Sequence, residues 1–202
     1  TFYKHEKFLK ILPKKYKEAI IQIIKEKKKL GTAGSINNIK HKLDKSFFVV
    51  NGDTYFDINL RDLEKTTNDA KSNIGVSIVS SKDHTGYKSY KINKINEVID
   101  YKITNSNLKL VCGGVYFLKK NIFNKFKKTE ILDIDKDLIQ SNLKKKIIAK
   151  KYASDFIDIG SLKSLKKAKN FIRNKDIRPS FFLDRDGVIN EEKNYVHKKK
   201  DF

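Results

Sequence analysis

Cysteine occurs once in these 202 residues, proline twice, and methionine and tryptophan not at all. A single thiol, Cys112, closes no disulfide within the chain and completes no thiolate zinc site. A disulfide-stapled secreted scaffold is thereby excluded, and a reducing compartment, the cytoplasm, is expected. Long apolar runs are missing as well. Ala19–Ile21, Phe47–Val50 and their neighbours fall far short of the ~20 residues of a membrane-spanning helix, so no membrane partner is expected. With no Met and Thr1 in first place, the chain reads as a fragment, continuing at both ends.

Arginine is scarce too. Only Arg61, Arg173, Arg178 and Arg185 stand among 45 basic residues, which outnumber 24 acidic ones and leave a formal charge of +21. Charge alone leaves two readings open, solvated lysine faces or a polyanion-binding surface. The planar guanidinium that reads phosphates and base edges is nearly missing, and the lysines are spread among Ile and Asn over the whole chain. Solvated faces are favoured, and no nucleic-acid partner is expected. A field of this sign attracts small phosphorylated ligands in either case.

What is present is an alternation of β-branched apolar runs with amphipathic, lysine-rich stretches, the pattern of an α/β sheet with crossover helices. Strands are expected over Ala19–Ile24, Phe47–Val50, Ile74–Ser80, Leu108–Leu118 and around Ile147–Tyr152, with a hairpin from Tyr87–Ile92 and Glu97–Lys102. Helices are expected over Ser35–Leu43, Ile58–Asn68, around Lys136–Leu143, and from an N-cap at Ser161 to about Asn174. The unbroken apolar run Phe47–Val50 predicts a strand buried on both faces. Asn174–Pro179, polar and closed by proline, marks a domain boundary, after which Ser180–Leu183 begins another strand.

Chemistry is suggested where strands end in acids. Asn51-Gly52-Asp53 ends the strand Phe47–Val50, and Gly52 lets backbone approach a ligand there. A carboxylate so placed suits Mg²⁺, which takes one or two carboxylates plus phosphate oxygens and water; the alternative is a plain turn. Asp158, between Ile157 and Ile159-Gly160, repeats the arrangement, with helix capping as its alternative. Leu30-Gly31-Thr32-Ala33-Gly34 joins a strand candidate to a helix start, where backbone amides can face a nucleotide. At Gly113-Gly114 missing side chains admit a ligand or another backbone. In Phe181-Phe182-Leu183-Asp184-Arg185-Asp186-Gly187, two carboxylates two residues apart allow one to attack a phosphate while the other protonates the leaving oxygen.

In order and spacing, Leu30–Gly34, Phe48–Thr54, Gly113–Tyr116 and Asp155–Gly160 resemble the sugar-1-phosphate nucleotidyltransferase family over about residues 1–172. The resemblance implies a doubly wound, Rossmann-like α/β fold with a mixed, mainly parallel sheet. It also implies transfer of a nucleotidyl group from a nucleoside triphosphate to a sugar 1-phosphate. By resemblance Asp53 and Asp158 hold Mg²⁺, and Leu30, Gly31, Thr32, Ala33, Gly34, Gly52 and Asp53 lie at the nucleotide. Gly114, Asp135 and Lys136 lie at the sugar, Asp135 standing where the family carries Glu. The family's glycine-rich Gly-x-Gly-Thr-Arg triphosphate loop is absent from the sequence, which predicts that these residues alone do not catalyse transfer.

Residues 181–202 resemble the first motif of the haloacid-dehalogenase-like phosphatases, and Asn190 with Tyr195-Val196-His197 resembles the branch acting on heptose bisphosphate and histidinol phosphate. This implies Asp184 as nucleophile, Asp186 as general acid and base, and Mg²⁺ held between them. The expected organisation is a nucleotidyltransferase domain over 1–173, a linker over 174–179 and the start of a phosphatase domain over 180–202. Together the two resemblances imply heptose activation, with a phosphatase acting on the 7-phosphate and guanylyl transfer to the 1-phosphate. A mannose- or other hexose-1-phosphate nucleotidyltransferase and a non-catalytic basic binding module are the alternatives.

Overall fold

A computed structural model describes residues 4–81, 88–103 and 109–175. The chain divides into two compact units, Thr1–Asp158 and Ile159–Phe202. The first contains, in order, α1 (His5–Ile11), β1 (Lys15–Tyr16), β2 (Ala19–Ile20), α2 (Gly31–Asn38), β3 (Ser46–Val50), β4 (Thr54–Phe56) and α3 (Leu60–Asp69). These are followed by β5 (Ile74–Ser81), β6 (Lys88–Ile92), β7 (Val98–Ile103), β8 (Lys109–Lys119), a π-helical turn (Ile134–Ile139), β9 (Ile148–Lys151) and β10 (Phe156–Asp158).

The central sheet has the order β3-β8-β5-β9. β8 is antiparallel to both β3 and β5, and β9 is parallel to β5. Three of the four strands therefore run one way and the longest runs against them, giving a mixed, mainly parallel α/β sheet. Side chains alternate across β8 to build a core on each face. Tyr116 and Leu118 pack with Val76, Ile78, Leu138 and Ile147. Val115 and Phe117 pack with Leu63 of α3, beside Phe48 and Phe56. Leu63 and Leu118 are fully buried, each stabilising the fold by roughly 1.5–3 kcal/mol.

α3 begins where Asn59 Oδ1 accepts the Asp62 amide, the capping that frees the helix from its first orphan donor. Its far side is tied to β9 by Lys150, whose Nζ donates to Asp62 Oδ1 and to Thr66 Oγ1. The β6–β7 hairpin forms as expected, with Tyr90 opposite Tyr101.

Four expectations need correction. Ala19–Ile24 supplies only the exposed pair Ala19–Ile20, matched to the two residues of β1; β-branching favours extended backbone but does not provide a sheet to be buried in. Among the described residues β3 ends the sheet order, and its side chains reach the cores on both faces, Phe47 and Val49 on one and Phe48 on the other, yet stay only half-buried, with Val50 57% exposed. The helix after Leu30 starts at Gly31 rather than Ser35 and ends at Asn38, followed by a 3₁₀ turn over Lys40–Lys42. The expected helix Lys136–Leu143 is the π-helical turn followed by a 3₁₀ turn, capped by Asp133, whose Oδ1 accepts the Lys136 amide at 2.9 Å.

In the second unit, α4 spans Leu162–Lys175, and Ser161 Oγ accepts the Ser164 amide at 3.1 Å, the N-cap expected there. No helix among the described residues is long and apolar enough to cross a membrane.

Candidate functional site

The turn after β3 is held from below by β8. The Asn51 amide donates to the Gly114 carbonyl at 2.8 Å, Gly52 and Asp53 form the turn, and β4 leads away. β4 then pairs antiparallel with β10, in the register Phe56↔Phe156, Tyr55↔Ile157 and Thr54↔Asp158. Opposed residues in such a ladder have Cα atoms roughly 5 Å apart. Asp158 thus lies across from the immediate neighbour of Asp53, although 105 positions separate the two aspartates in the chain. Asp53 is exposed and Asp158 half-buried.

The glycine pair in β8 explains why β4 can sit there. A Cβ at Gly113 would lie 2.2 Å from the Phe56 ring. One at Gly114 would lie 3.0 Å from Thr54, on a backbone with φ +75° that side chains disfavour. The space expected to admit a ligand or backbone is filled by β4 itself. Phe56 also meets Phe156 edge-on, ring centres 5.4 Å apart, and Tyr152 at 6.0 Å, so one ring joins β4, β8 and β10. Gly114 is part of a bulge: Val76 opposes Tyr116 while Ile78 opposes Cys112, leaving Ser77 facing three residues of β8.

The rung sets the backbone of Asp158 beside the turn that carries Asp53, and carboxylates are the hard-oxygen donors that Mg²⁺ takes. Among the described residues no group of three or more His, Cys, Asp or Glu could hold a metal. A full protein cage is not what Mg²⁺ requires; one or two carboxylates with water and phosphate oxygens suffice, and Asp53 with Asp158 fits that donor set.

Leu30–Gly34 behaves differently from a free loop. Gly31 has φ +74°, and a Cβ there would meet the Leu132 carbonyl at 2.4 Å; at Gly34 it would meet the Glu130 carbonyl at 2.5 Å. The Gly34 amide donates to Leu132 O at 3.1 Å and the Leu132 amide to Leu30 O at 2.9 Å. Both glycines are thus used by the strap 130–132. Leu30 and Ala33 are buried, while Thr32 is exposed. Over this helix start lies an open cleft of about 450 Å³, lined by Glu26, Lys29, Leu30, Gly31, Thr32, Ser35, Ile36 and Val49. Glu26, the one acid in the run Lys25–Lys29, is a cleft residue that motif reading passes over.

The π-helical turn brings Asp135 to the tyrosines. Tyr90 and Tyr101 rings stand 4.4 Å apart. Burial, then the charge and hydrogen bond of Asp135, push the Tyr101 phenol well above its usual value. Desolvation pushes the Cys112 thiol up to about 11, so it stays protonated and unreactive at neutral pH. Lys136 is exposed. A second concavity of about 380 Å³, lined by Lys71, Asn73, Asn121, Lys125 and Lys145 among others, opens at the other end of the sheet and contains no sequence-predicted residue. Asp184, Asp186, Asn190, Tyr195 and His197 lie outside the described residues.

A family model described as nucleotidyl transferase matches residues 1–175. D-glycero-alpha-D-manno-heptose 1-phosphate guanylyltransferase of Campylobacter jejuni is 33% identical over 137 residues, 67% of this chain and 60% of that protein. The protein of the same name from Aneurinibacillus thermoaerophilus is 28% identical over 174 residues, 84% of this chain and 74% of that one. The chain therefore spans three-fifths to three-quarters of the length of these relatives. The crystal structure of HddC from Yersinia pseudotuberculosis complexed with GMP-PN shares the fold, with TM-score 0.69 at 24% identity over 84% of this chain and 73% of that one. On the strength of the family match over residues 1–175, this chain belongs to the nucleotidyl transferase family.

Proposed function

We propose that, completed by a glycine-rich triphosphate loop, the chain transfers a guanylyl group from GTP to D-glycero-D-manno-heptose 1-phosphate. An oxygen of the sugar phosphate attacks the α-phosphorus in line, the bond from that phosphorus to the bridging oxygen breaks, and pyrophosphate leaves with the bond's electron pair. The observation that supports this reading is the rung that sets Asp158 opposite Thr54, the residue that follows Asp53. Asp53 and Asp158 hold Mg²⁺, which when bound neutralises charge developing on the phosphate oxygens. Asp184 and Asp186 hold a second Mg²⁺ in the phosphatase segment. The Leu30–Thr32 wall of the open cleft receives the nucleoside, Ala33 and Gly34 support it from behind, and Gly52 lets the turn approach the nucleotide. Asp135 and Lys136 contact the sugar phosphate, Lys136 supplying positive charge, and Gly114, whose Cβ side is taken up by Thr54, supports the sugar site from behind. The identity of the sugar and of the base is supported by the two heptose 1-phosphate guanylyltransferases among the relatives.

The same reading takes residues 1–173 as the transferase domain, 174–179 as a linker and 180–202 as the opening of a phosphatase domain. Asp184 serves there as nucleophile and Asp186 as general acid and base; the Asp-x-Asp spacing after an apolar run supports it. The test incubates a version that carries the glycine-rich triphosphate loop with each nucleoside triphosphate and a panel of heptose and hexose 1-phosphates in Mg²⁺, separating nucleotide sugars by chromatography. GDP-heptose formed with an equal amount of pyrophosphate is the expected result. Preference for a hexose 1-phosphate, or for another base, overturns the assignment.

A further inference from the structure

We propose that the cavity at the end of the sheet away from Asp53 binds a sugar phosphate, as a second small-molecule site independent of nucleotidyl transfer. β3 and β5 both run antiparallel to β8 and enter level with each other, Phe47 and Ile74 both opposite Leu118, whereas Asp53 follows the far end of β3. Ile74 is in the cavity wall, so the cavity opens at the entering end. Its volume, about 380 Å³, is that of a small-molecule site. The wall supplies charge of one sign. Lys71, Lys125, Lys145 and Lys146 line it, no acidic residue does, and none of the four lysines pairs with a carboxylate among the described residues. Lysine takes phosphate as a point charge. Lys71 is kept there at a backbone cost. α3 closes with the Lys71 amide donating to Asn68 O at 2.8 Å and the Ser72 amide to Thr67 O at 3.0 Å, which sets Lys71 at φ +55°, a conformation that favours glycine. An ammonium group that has work to do in the cavity accounts for lysine in glycine's place.

Asn142 asks for a different group. It lines the cavity and is only 6% exposed, and its Nδ2 donates to Leu138 O at 2.8 Å and to Ser141 Oγ at 3.2 Å. A carbonyl only accepts, so the amide cannot be turned round, and Oδ1 is left as an acceptor without a partner among the described residues. The lysines call for an anion and this oxygen calls for a donor. One molecule carrying a phosphate and hydroxyls answers both. Asn73, Asn121 and Asn124 add amides that donate and accept together, as hydroxyl recognition requires. No aromatic ring lines the cavity to stack a nucleobase, which favours a sugar phosphate over a nucleotide. Two walls are joined before any ligand arrives: Ser72 Oγ donates to Lys146 O at 2.7 Å and accepts the Ile74 amide at 3.1 Å. Such a preformed site spares the cost of ordering its loops on binding.

The experiment titrates the whole protein with glucose 6-phosphate by calorimetry at low salt. This probe has no 1-phosphate and cannot accept a nucleotidyl group, so its binding is read apart from the proposed transfer. Glucose 6-phosphate should bind at least about 10-fold more tightly than inorganic phosphate or glucose, each of which offers half of the contacts. Lys71→Gly and Lys145→Gln should each weaken it at least about 5-fold, whereas Lys15→Gln, which removes a lysine outside the cavity, should leave it unchanged. Lys71→Gly should at the same time raise the melting temperature by about 2 °C or more, because glycine relieves the left-handed backbone; weaker binding in a more stable protein is not a folding defect. Inorganic phosphate held as tightly as glucose 6-phosphate overturns the proposal, and so does GMP held more tightly. Equal weakening in Lys15→Gln overturns it as well, since the net charge would then act without a site. Unaltered affinity in both cavity variants places the ligand elsewhere and overturns it too. None of these results bears on nucleotidyl transfer, which the assay with sugar 1-phosphates decides.

Discussion

Ser77 closes the bulge around Val115: its Oγ donates to the Val115 carbonyl at 2.9 Å and accepts the Val115 amide at 3.3 Å. Val115 has no Cα partner in the β5 register, so one buried hydroxyl takes the place of a missing rung. Without it the backbone that offers Gly114 O to Asn51 loses its support on the β5 side.

Ser77→Ala therefore costs about 1–3 kcal/mol, the penalty of leaving buried polar groups unpaired. Urea unfolding measures the cost, and hydrogen exchange at Asn51 should speed up relative to the core amides of β5. A loss below about 0.5 kcal/mol, the usual range of surface changes, would mean that water fills the gap at no cost.

Gly113→Ala drives a methyl group into the Phe56 ring, and Gly114→Ala must hold a side chain at φ +75°. Each should destabilise by about 1–3 kcal/mol. The two differ in rescue. Phe56→Leu should recover part of the loss in Gly113→Ala and none in Gly114→Ala, a coupling that a double-mutant cycle reads directly.

Much of this architecture could be read before any coordinates. The apolar run of β5 and the β8 run around its glycine pair announce themselves, and Asn51-Gly52-Asp53 announces a turn. What could not be read depends on partners far away in the chain. Ala19–Ile24 has strand composition but meets only β1, and Phe47–Val50 packs toward both faces yet stays half-buried at the end of the sheet order. His5–Ile11 forms a helix with no buried residue, so no apolar face signals it. Ser77 sits among β-branched neighbours with nothing local to mark it as the plug of a bulge. Asp53 and Asp158 can each be suspected, but that Asp158 stands opposite Thr54, next to Asp53, is a matter of register between β4 and β10, where Phe56 seats on Gly113.

Asp62 links stability to pH. The hydrogen bond from Lys150 is the largest influence on its carboxyl and holds its pKa below the usual 3.8. A lowered folded-state value means the stabilisation is fully present above about pH 4 and fades as pH falls through the folded-state pKa. With Asp62 39% exposed, solvent screening limits the pair to roughly 0.2–1 kcal/mol. Asp62→Asn should lower the melting temperature slightly at pH 7, and the gap from the native protein should close below pH 3. A gap that persists in acid would assign the effect to packing.

Asp53→Asn and Asp158→Asn test the proposed metal pair. Each should weaken Mn²⁺ binding measured by electron paramagnetic resonance. Each should also cut the transfer rate by at least about 10²-fold, since several kcal/mol of charge stabilisation is at stake. Because Asp158 is on a ladder rung and Asp53 in a turn, thermal melts should separate loss of metal from loss of the β4–β10 pairing. Unaltered Mn²⁺ affinity in both variants would remove them from the metal site.

β3 also has a colloidal consequence. Among the described residues it pairs on one side only, and the backbone of its other side, over Ser46–Val50, has no strand beside it. Such an open strand is a template for a neighbouring copy, held off here by mutual repulsion between molecules of charge +21. That repulsion reaches about 10 Å at 0.1 M salt and only about 3 Å at 1 M. Raising salt toward about 1 M should therefore drive the molecules to cluster, and light scattering across a salt series would reveal the crossover.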